Sequence, residues 1–328
     1  MDIKYKYNPA LKFIKDGVQG NAFYGGQYLA SQGKEKLPYQ RLIKWLATLN
    51  PQRKEKKKDN FIPDVIKNND FLFTKENTIT WLGHSSFYIQ LNGVKILTDP
   101  VYHHLTPLLK RKHALPCSID TFTTIDYILL SHGHRDHLDI PTLKILLKNN
   151  ANVTILCPLG FEKMLRNIGF KKIQEAAWWQ QYDIPELVIN FLPAKHWNRR
   201  FIWDYNTTLW GSFSIQHNET SIYFAGDTGF STHFAEIKEH FNTFEVCLMP
   251  IGAYKPRYIM EWAHISPQEA IKAFHLLNGK TFIPMHYGTF DLSDEPASEL
   301  LQVLHEFRKQ QQINGALKIL KVGEIYTV

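Results

Sequence analysis

The stretch SHGHRDHLD, residues 131–139, decides how the rest of this chain is interpreted. It follows the short apolar run DYILL (126–130), which predicts a buried strand. Imidazole and carboxylate groups suit zinc and related divalent ions, and alternate side chains of a loop can turn to different sides. An exposed polar loop is the plain alternative, but the density of ligands favours a metal site. Four candidate ligands fall within six residues of the stretch: His132, His134, Asp136 and His137.

Further candidate ligands close three other predicted strands. His196 follows NFLPAK, Asp227 follows YFAG and His286 follows FIPM. Functional residues of sheet-based enzymes are commonly mounted at strand ends. Alone, either histidine would be interpreted as structural, but with the cluster at 132–137 we expect all seven side chains to converge on two metal ions. Such a pair polarises a substrate oxygen and supplies hydroxide at neutral pH.

The pattern of strands and helices predicts an α/β fold from Thr78 onward. Asn92-Gly93 predicts a type I′ hairpin turn. Ser266 to Glu269 forms a capping-box pattern that opens a helix. We expect the last thirteen residues, ALKILKVGEIYTV, to form a pair of strands. These patterns divide the chain into an N-terminal extension, residues 1–76, and a catalytic domain, residues 77–328.

The N-terminal extension is rich in lysine and carries one clear helical pattern. PYQRLIKWLATLN (38–50) predicts an amphipathic helix that ends at Asn50-Pro51. RKEKKKD, from Arg53 to Asp59, predicts a solvated, mobile loop. A basic amphipathic helix is typical of membrane-surface elements, so residues 34–58 are a candidate for peripheral contact with an anionic membrane. Packing of the same helix on the catalytic domain is the alternative.

Composition sets broad limits on the protein. The net charge of +7 fits an anionic partner, although a solvated basic surface explains it equally well. The three cysteines lie far apart, which argues against a disulfide framework or a Cys-type zinc finger and indicates a reducing compartment. The N-terminus has no apolar core of signal-peptide length, and no apolar stretch is as long as a transmembrane helix. We therefore expect a cytoplasmic protein whose membrane contact, if any, is peripheral.

The order of the candidate ligands resembles the hydrolase branch of the metallo-β-lactamase superfamily. The resemblance implies an αβ/βα four-layer sandwich with an N-terminal extension and two Zn²⁺ ions at one edge. The superfamily's diiron oxygen-reducing branch carries Glu where His134 stands here, which favours hydrolysis over redox chemistry. By the same resemblance, the first ion takes His132, His134 and His196, the second takes Asp136, His137 and His286, and Asp227 bridges the two.

A closer resemblance is to the N-acylphosphatidylethanolamine-hydrolysing phospholipases D. It runs from about Trp45 to the C-terminus and is dense between Trp81 and Phe290. It implies a phospholipid substrate, cleaved at a phosphodiester into N-acylethanolamine and phosphatidic acid, with Asp136 holding the nucleophile. The segments that carry it, in order, are TWLGHSSF, LTDP, SHGHRDHLD, CPLG, LPAKHW, LWGSFS, FAGDTG, PIGAYKPR and HYGTF.

Three more residues are candidates near the metals. His264 aligns with a family histidine close to the substrate phosphate, where it would orient the phosphate or protonate the leaving group; an ordinary loop histidine is the alternative. His84 belongs to a superfamily motif and would support the site from behind, or play a plain structural role. Arg135 stands where the resemblance leads us to expect an aromatic residue, so we expect different substrate contacts there.

Other functions remain open at this stage. A soluble metal-dependent hydrolase of a phosphorylated sugar lactone or cyclic phosphodiester would suit Arg135. A nuclease is disfavoured because Asp227 and His286 are close in sequence and no long basic patch with interleaved aromatics occurs, so we expect no nucleic-acid partner. A metal-binding scaffold without turnover would require a damaged ligand set. A homodimer is also open.

Overall fold

The computed structural model describes residues 3–30 and 39–328, with the backbone alone for Tyr39. The chain begins with a small antiparallel sheet of three strands, which the sequence patterns do not predict: β1 (Lys4–Lys6), β2 (Asn21–Tyr24) and β3 (Gln27–Tyr28). Long-range contacts fix this arm. The side-chain amide of Gln180 donates to the carbonyl of Asn8, and Trp178 donates its backbone N–H to Asn21. The arm is therefore docked on the body of the protein.

Two helices follow, α1 (Tyr39–Ala47) and α2 (Arg53–Lys58). The first agrees with the predicted helix. The expectation of a mobile loop at Arg53–Asp59 is wrong, because Lys and Glu are good helix formers and lysines in a last turn suit the helix dipole. Lys56 also pairs with Asp291 at 2.5 Å. Residues 34–38 of the proposed membrane segment, 34–58, lie outside the described residues, and the boundary at residue 76 stays a prediction.

The first half of the sandwich comes from residues 70–176. Two single-turn 3-10 helices, Asp70–Leu72 and Ile119–Thr121, lie in its connections. Asn92 and Gly93 have φ values of 52° and 78°, as the predicted type I′ turn requires. Its strands and helices are β4 (Thr78–Gly83), β5 (Ser86–Leu91), β6 (Val94–Thr98), β7 (Tyr127–Leu129), α3 (Ile140–Asn149), β8 (Thr154–Pro158), α4 (Glu162–Ile168) and β9 (Lys172–Ala176).

The second half completes the described chain. The predicted capping box is present, since the Ser266 hydroxyl accepts from the N–H of Glu269 and the Glu269 carboxylate accepts from the N–H of Ser266. Its elements are β10 (Gln180–Gln181), β11 (Val188–Leu192), β12 (Ser212–His217), β13 (Thr220–Phe224), α5 (His233–His240), β14 (Phe244–Pro250), α6 (Arg257–Met260), α7 (Pro267–Leu276), β15 (Gly279–Met285), α8 (Ala297–Lys309), β16 (Ala316–Leu317) and β17 (Ile325–Thr327).

The two halves form two large sheets with the orders β17-β4-β5-β6-β7-β8-β9 and β10-β11-β12-β13-β14-β15-β16. Alternate residues of a strand face opposite sides, so Phe87 and Ile89 join the core shared with the second sheet while Tyr88 joins the core under α3 and α4. Helix α7 lies against β14 and β15 on the far face of the second sheet. The result is the predicted αβ/βα sandwich.

The final strands differ from the expected pair. β16 pairs with β15 in one sheet, whereas β17 pairs with β4 in the other. The alternation in this segment predicts strands correctly but carries no information about their partners. Within the described residues, no helix is both long enough and apolar enough to cross a bilayer.

Strand direction places the functional loops together. β4, β6 and β7 run the same way, because β5 is antiparallel to β4 and β6, and β7 is parallel to β6. In the second sheet β11, β13, β14 and β15 likewise share one direction. The loops that follow these strands therefore leave each sheet from a single edge.

Candidate metal centre

The loop after β7 carries the dense ligand motif and is fixed by hydrogen bonds on both sides. Ser131 donates its backbone N–H and its hydroxyl to the Asp99 carboxylate, at 2.7 and 2.5 Å. Gly133 donates its N–H to the side chain of Asn198, at 2.6 Å. Arg200 donates to the carbonyls of Gly133 and Leu138. The motif is thus held in one conformation by groups from both halves of the protein.

Three imidazoles converge on one side of this loop. His132 Nε2 lies 2.9 Å from His134 Nδ1, and His196 Nε2 lies 3.2 Å from the same atom. The other ring nitrogen of His196 lies 2.9 Å from the carbonyl of Ala263, which fixes the proton on Nδ1 and leaves Nε2 as a free lone pair. The arrangement brings together the residues predicted for the first ion.

A second group lies beside the first. His137 Nε2 and His286 Nε2 are each 3.7 Å from Asp136 Oδ2. His286 has a φ of 62° and packs against Gly252, where an added Cβ would overlap the His286 carbonyl oxygen. His84 Nε2 lies 3.1 Å from the same Asp136 oxygen. The three residues predicted for the second ion are therefore together, and His84 lies beside them.

Asp227 lies between the two groups. Its Oδ2 is 3.1 Å from His286 Nε2, 3.2 Å from His137 Nε2 and 3.9 Å from His196 Nε2. His264 Nδ1 is 3.8 Å from the same oxygen, so this histidine also faces the centre. Asp227 thus lies within 3.9 Å of histidines from both groups, and its bridging role stays a prediction.

The donor set fits divalent cations. Buried polar atoms normally have partners, yet Asp227 Oδ1 has no hydrogen-bond partner among the described residues, and His137 Nε2 and His286 Nε2 lie close to Asp227 Oδ2 without the geometry of a hydrogen bond. They face one another across the centre, and nitrogen with carboxylate oxygen is the donor chemistry that zinc and similar ions take. Unpartnered lone pairs converging on one point are what a metal site needs.

The protonation states of the buried side chains also suit a site for cations. Burial lowers the pKa of His132 and His196 well below the ordinary value, so both are neutral ligands at pH 7. Burial also opposes charge on His286, but Asp227 and Asp136 raise its pKa to about 9. Burial opposes charge on Asp227 as well, yet His137 and His286 hold its pKa well below the usual range. In the metal-free protein, a proton on His286 therefore supplies positive charge that a cation would otherwise provide.

Sequence patterns alone do not identify Asp99 as part of the centre. Its carboxylate is fully buried and lies 2.7 Å from His137 Nδ1, so it orients this ligand as well as the loop. The only sequence signal is the segment LTDP, whose aspartate follows β6 at the same edge as the ligands.

Replacing Asp99 with asparagine should weaken metal binding by about 10- to 100-fold, because carboxylates that orient a ligand histidine typically contribute this much. Competition with a fluorescent chelator measures the affinity. Asp126→Asn is a suitable control, since Asp126 lies at the other end of β7 and accepts a hydrogen bond from the N–H of Lys95. Equal affinities for the two variants would contradict the role of Asp99.

A cavity of about 350 Å³ opens above the centre. Its floor holds His134, Asp136, Asp227, His264 and His286, and its rim carries Arg135 and Arg199. The remaining walls are largely apolar: Leu42, Trp45, Trp197, Ala253, Ile259, Met260, Trp262, Ala263 and Leu292. Trp45 reaches this wall from α1 and donates its indole N–H to Asp294 at 3.1 Å. The N-terminal helix is thus part of the site.

Comparisons with known proteins show what this chain is similar to. Residues 94–287 match the model of the β-lactamase superfamily domain. The N-acyl-phosphatidylethanolamine-hydrolyzing phospholipase D 1 of Caenorhabditis elegans is 31% identical over 267 residues, which cover 75% of this chain and 74% of that protein. A UPF0173 metal-dependent hydrolase of Methanopyrus kandleri is 30% identical over 251 residues, covering 76% of this chain and 98% of that protein. The solved metallo hydrolase Igni18 from Ignicoccus hospitalis superposes with a TM-score of 0.59 at 22% identity, covering 77% of this chain and 99% of that one.

Proposed function

The chain belongs to the β-lactamase superfamily and is a metal-dependent hydrolase, and from this premise we propose that it is a zinc-dependent phosphodiesterase of the phospholipase D type. The proposed substrate is N-acylphosphatidylethanolamine, which water divides into N-acylethanolamine and phosphatidic acid. The relative from Caenorhabditis elegans carries the name of this activity. Segments of the sequence that resemble this family include LPAKHW, FAGDTG and HYGTF.

The cavity is the observation that carries the proposal. Apolar side chains of Trp45, Trp197 and Trp262 rise directly above a floor of ionisable groups. An amphiphile with a phosphodiester at the floor and hydrocarbon against the walls matches both surfaces, because each part meets its preferred environment. A small polar substrate would leave the tryptophan walls without a function.

The proposed metal centre uses the two groups of ligands described above. His132, His134 and His196 would hold one zinc ion, Asp136, His137 and His286 a second, and Asp227 would touch both. A pair of divalent cations supplies Lewis acidity, which stabilises negative charge on phosphoryl oxygens and generates a nucleophile from water near neutral pH.

The side chains around the centre have separate parts in the reaction. Asp136, oriented by His84 at 3.1 Å, positions the attacking water. A bond forms from the water oxygen to phosphorus while the bond from phosphorus to the ethanolamine oxygen breaks, and the departing oxygen takes up a proton. His264 faces the cavity and is placed to give that proton or to orient the phosphate. Arg135 and Arg199 offer positive charge to phosphate oxygens at the rim.

We expect the purified, zinc-loaded protein to release N-acylethanolamine from vesicles that contain N-acylphosphatidylethanolamine. Chelation should abolish this release and zinc should restore it, because the Lewis acid is removed and returned. Mass spectrometry of the lipid products measures both steps. A matched substrate with a non-hydrolysable phosphonate at the cleaved position should give no product.

A soluble phosphorylated sugar lactone or cyclic phosphodiester is the second candidate substrate. The two arginines at the rim favour it, since they would suit a compact anion as well as a lipid phosphate. If the zinc-loaded protein releases no acylethanolamine but opens such a soluble substrate, the phospholipase assignment is wrong while the hydrolase assignment stands.

A further inference from the structure

A loop with three consecutive large hydrophobic side chains projects from the protein between β11 and β12. Phe201, Ile202 and Trp203 are 45%, 88% and 79% exposed, and we call these three residues the hydrophobic tip. The Phe201 and Trp203 rings stack with their centroids 5.2 Å apart and their planes 3° from parallel. Three adjacent exposed side chains of this size form a patch, unlike an isolated surface hydrophobe, and such a patch calls for a partner.

The backbone on both sides of the tip is fixed. Asp204 accepts hydrogen bonds from the backbone N–H groups of Arg200 and Phe201, at 2.9 and 2.8 Å, which closes a tight turn. Arg200 donates to the carbonyls of Gly133 and Leu138, which belong to the loop after β7 that carries the candidate ligands. The tip is therefore held out at a defined place, and its exposure is not the result of a loosely packed loop.

The tip lies next to the opening of the cavity. Trp197 and Arg199, which lie four and two residues before Phe201, line that cavity. Arg199 stacks over the Trp197 ring at 5.5 Å, and Trp197 packs on the metal-site residue His134 at 4.5 Å. A surface that binds the tip would consequently face the entrance to the centre.

Basic residues lie beside the tip, in the chain that leads to it and in the lining of the cavity. Arg135 is exposed at the cavity rim and has no carboxylate partner among the described residues. Burial and then the charge of Arg135 lower the pKa of Arg200. With Arg199 they form a basic border on the hydrophobic tip. Hydrophobic side chains that insert, with arginines that pair with phosphate oxygens around them, match an anionic lipid surface.

Helix α1 carries a second exposed apolar surface next to residues that line the cavity. Its Leu42 and Trp45 line the cavity, whereas Ile43 and Leu46 are exposed on its outer side. Two exposed apolar surfaces therefore adjoin residues that line the same cavity, which suits an extended partner such as a bilayer.

We propose that the hydrophobic tip, Phe201 to Trp203, inserts into the interfacial region of an anionic lipid bilayer and holds the cavity opening against it. Tryptophan suits this depth because its ring is apolar and its N–H remains hydrated. The inference deepens the proposed function, since a bilayer-facing cavity is of use to an enzyme whose substrate is a membrane lipid. Binding does not depend on turnover, however, so the two proposals can fail separately.

The test is co-sedimentation of the metal-loaded, full-length protein with vesicles that contain no N-acylated lipid. We expect binding to phosphatidylcholine vesicles with added phosphatidylserine to exceed binding to phosphatidylcholine alone about fivefold or more. The double variant Ile202→Ser, Trp203→Ser should reduce the partition coefficient at least about tenfold, because it removes two large apolar side chains from the interface. Quenching of tryptophan fluorescence by brominated lipid should fall in the same variant.

Phe73→Ser is the matched control. Phe73 is 74% exposed but precedes β4, at the end of that strand away from the metal centre, so we expect its loss to leave vesicle binding unchanged. Thermal unfolding shows whether each variant is folded. Equal reduction by both variants, or none by either, would overturn the proposal. So would a change from dimer to monomer in the tip variant, measured by light scattering, with vesicle binding intact, since the tip would then be a subunit interface.

Discussion

Asparagine in place of Asp227 should lower the rate of hydrolysis by about a thousandfold, equivalent to about 4 kcal/mol in the barrier. The change keeps the shape of the side chain but removes the charge that lies within 3.1–3.9 Å of His286, His137 and His196. Without that charge we expect the protein to retain fewer metal ions. Steady-state kinetics and metal analysis by mass spectrometry measure the two effects on the same sample.

A second effect follows in the metal-free protein. Burial opposes protonation of His286, and Asp227 is the largest influence that raises its pKa to about 9. The Asp227→Asn variant should therefore titrate His286 at a lower pH, which proton NMR detects. Asp183→Asn, an exposed carboxylate at the opposite edge of the second sheet, is the control for both readouts. Parental activity and metal content in Asp227→Asn would show that the centre is not catalytic as described.

Alanine in place of His264 should lower kcat by about 100- to 10,000-fold, the usual contribution of a general acid. We expect the bound metal to remain, because the seven proposed ligands are all still present. A substrate with a nitrophenolate leaving group needs little protonation, so the defect should shrink with it. This difference between substrates separates a proton donor from a residue that only shapes the cavity.

The alternative for the same variant is that His264 is itself a metal ligand. His264 lies close enough to Asp227 and His196 to form a third group of possible ligands. If His264→Ala loses one metal ion per chain, the residue is a ligand and the acid role is wrong. His217→Ala serves as the control, since His217 ends β12, which runs antiparallel to β11 and β13 and so places it at the opposite edge.

Local signals in the sequence are sufficient for much of the fold. Asn92-Gly93 requires two positive φ values that few other dipeptides tolerate, and the Ser266 capping box satisfies backbone groups within one turn. The ligand motif is equally local, because four of its side chains share one loop. Each of these features depends on neighbours in sequence, and for that reason a pattern can reveal it.

Features that depend on residues far away in the chain cannot be predicted from local sequence patterns. Asp99 bonds to Ser131 and His137, more than thirty residues away, and nothing around LTDP indicates these contacts. The run at Arg53–Lys58 looks like a solvated loop until Lys56 is seen to meet Asp291. The partners of β16 and β17 are decided by which sheet edge is open, which is a property of the finished fold. Assignment of the ligands to individual ions stays a prediction for the same reason.

The division of the metal centre between the two sheets has a consequence for the protein as it is synthesised. His132 to His137 leave the ribosome about 150 residues before His286, a delay of about 8–30 s at ordinary elongation rates. During this interval the nascent chain exposes a cluster of strong ligands that cannot yet close around an ion. The complete set of seven candidate ligands therefore exists only late in synthesis, and an ion that needs all of them can bind only after His286 has been added.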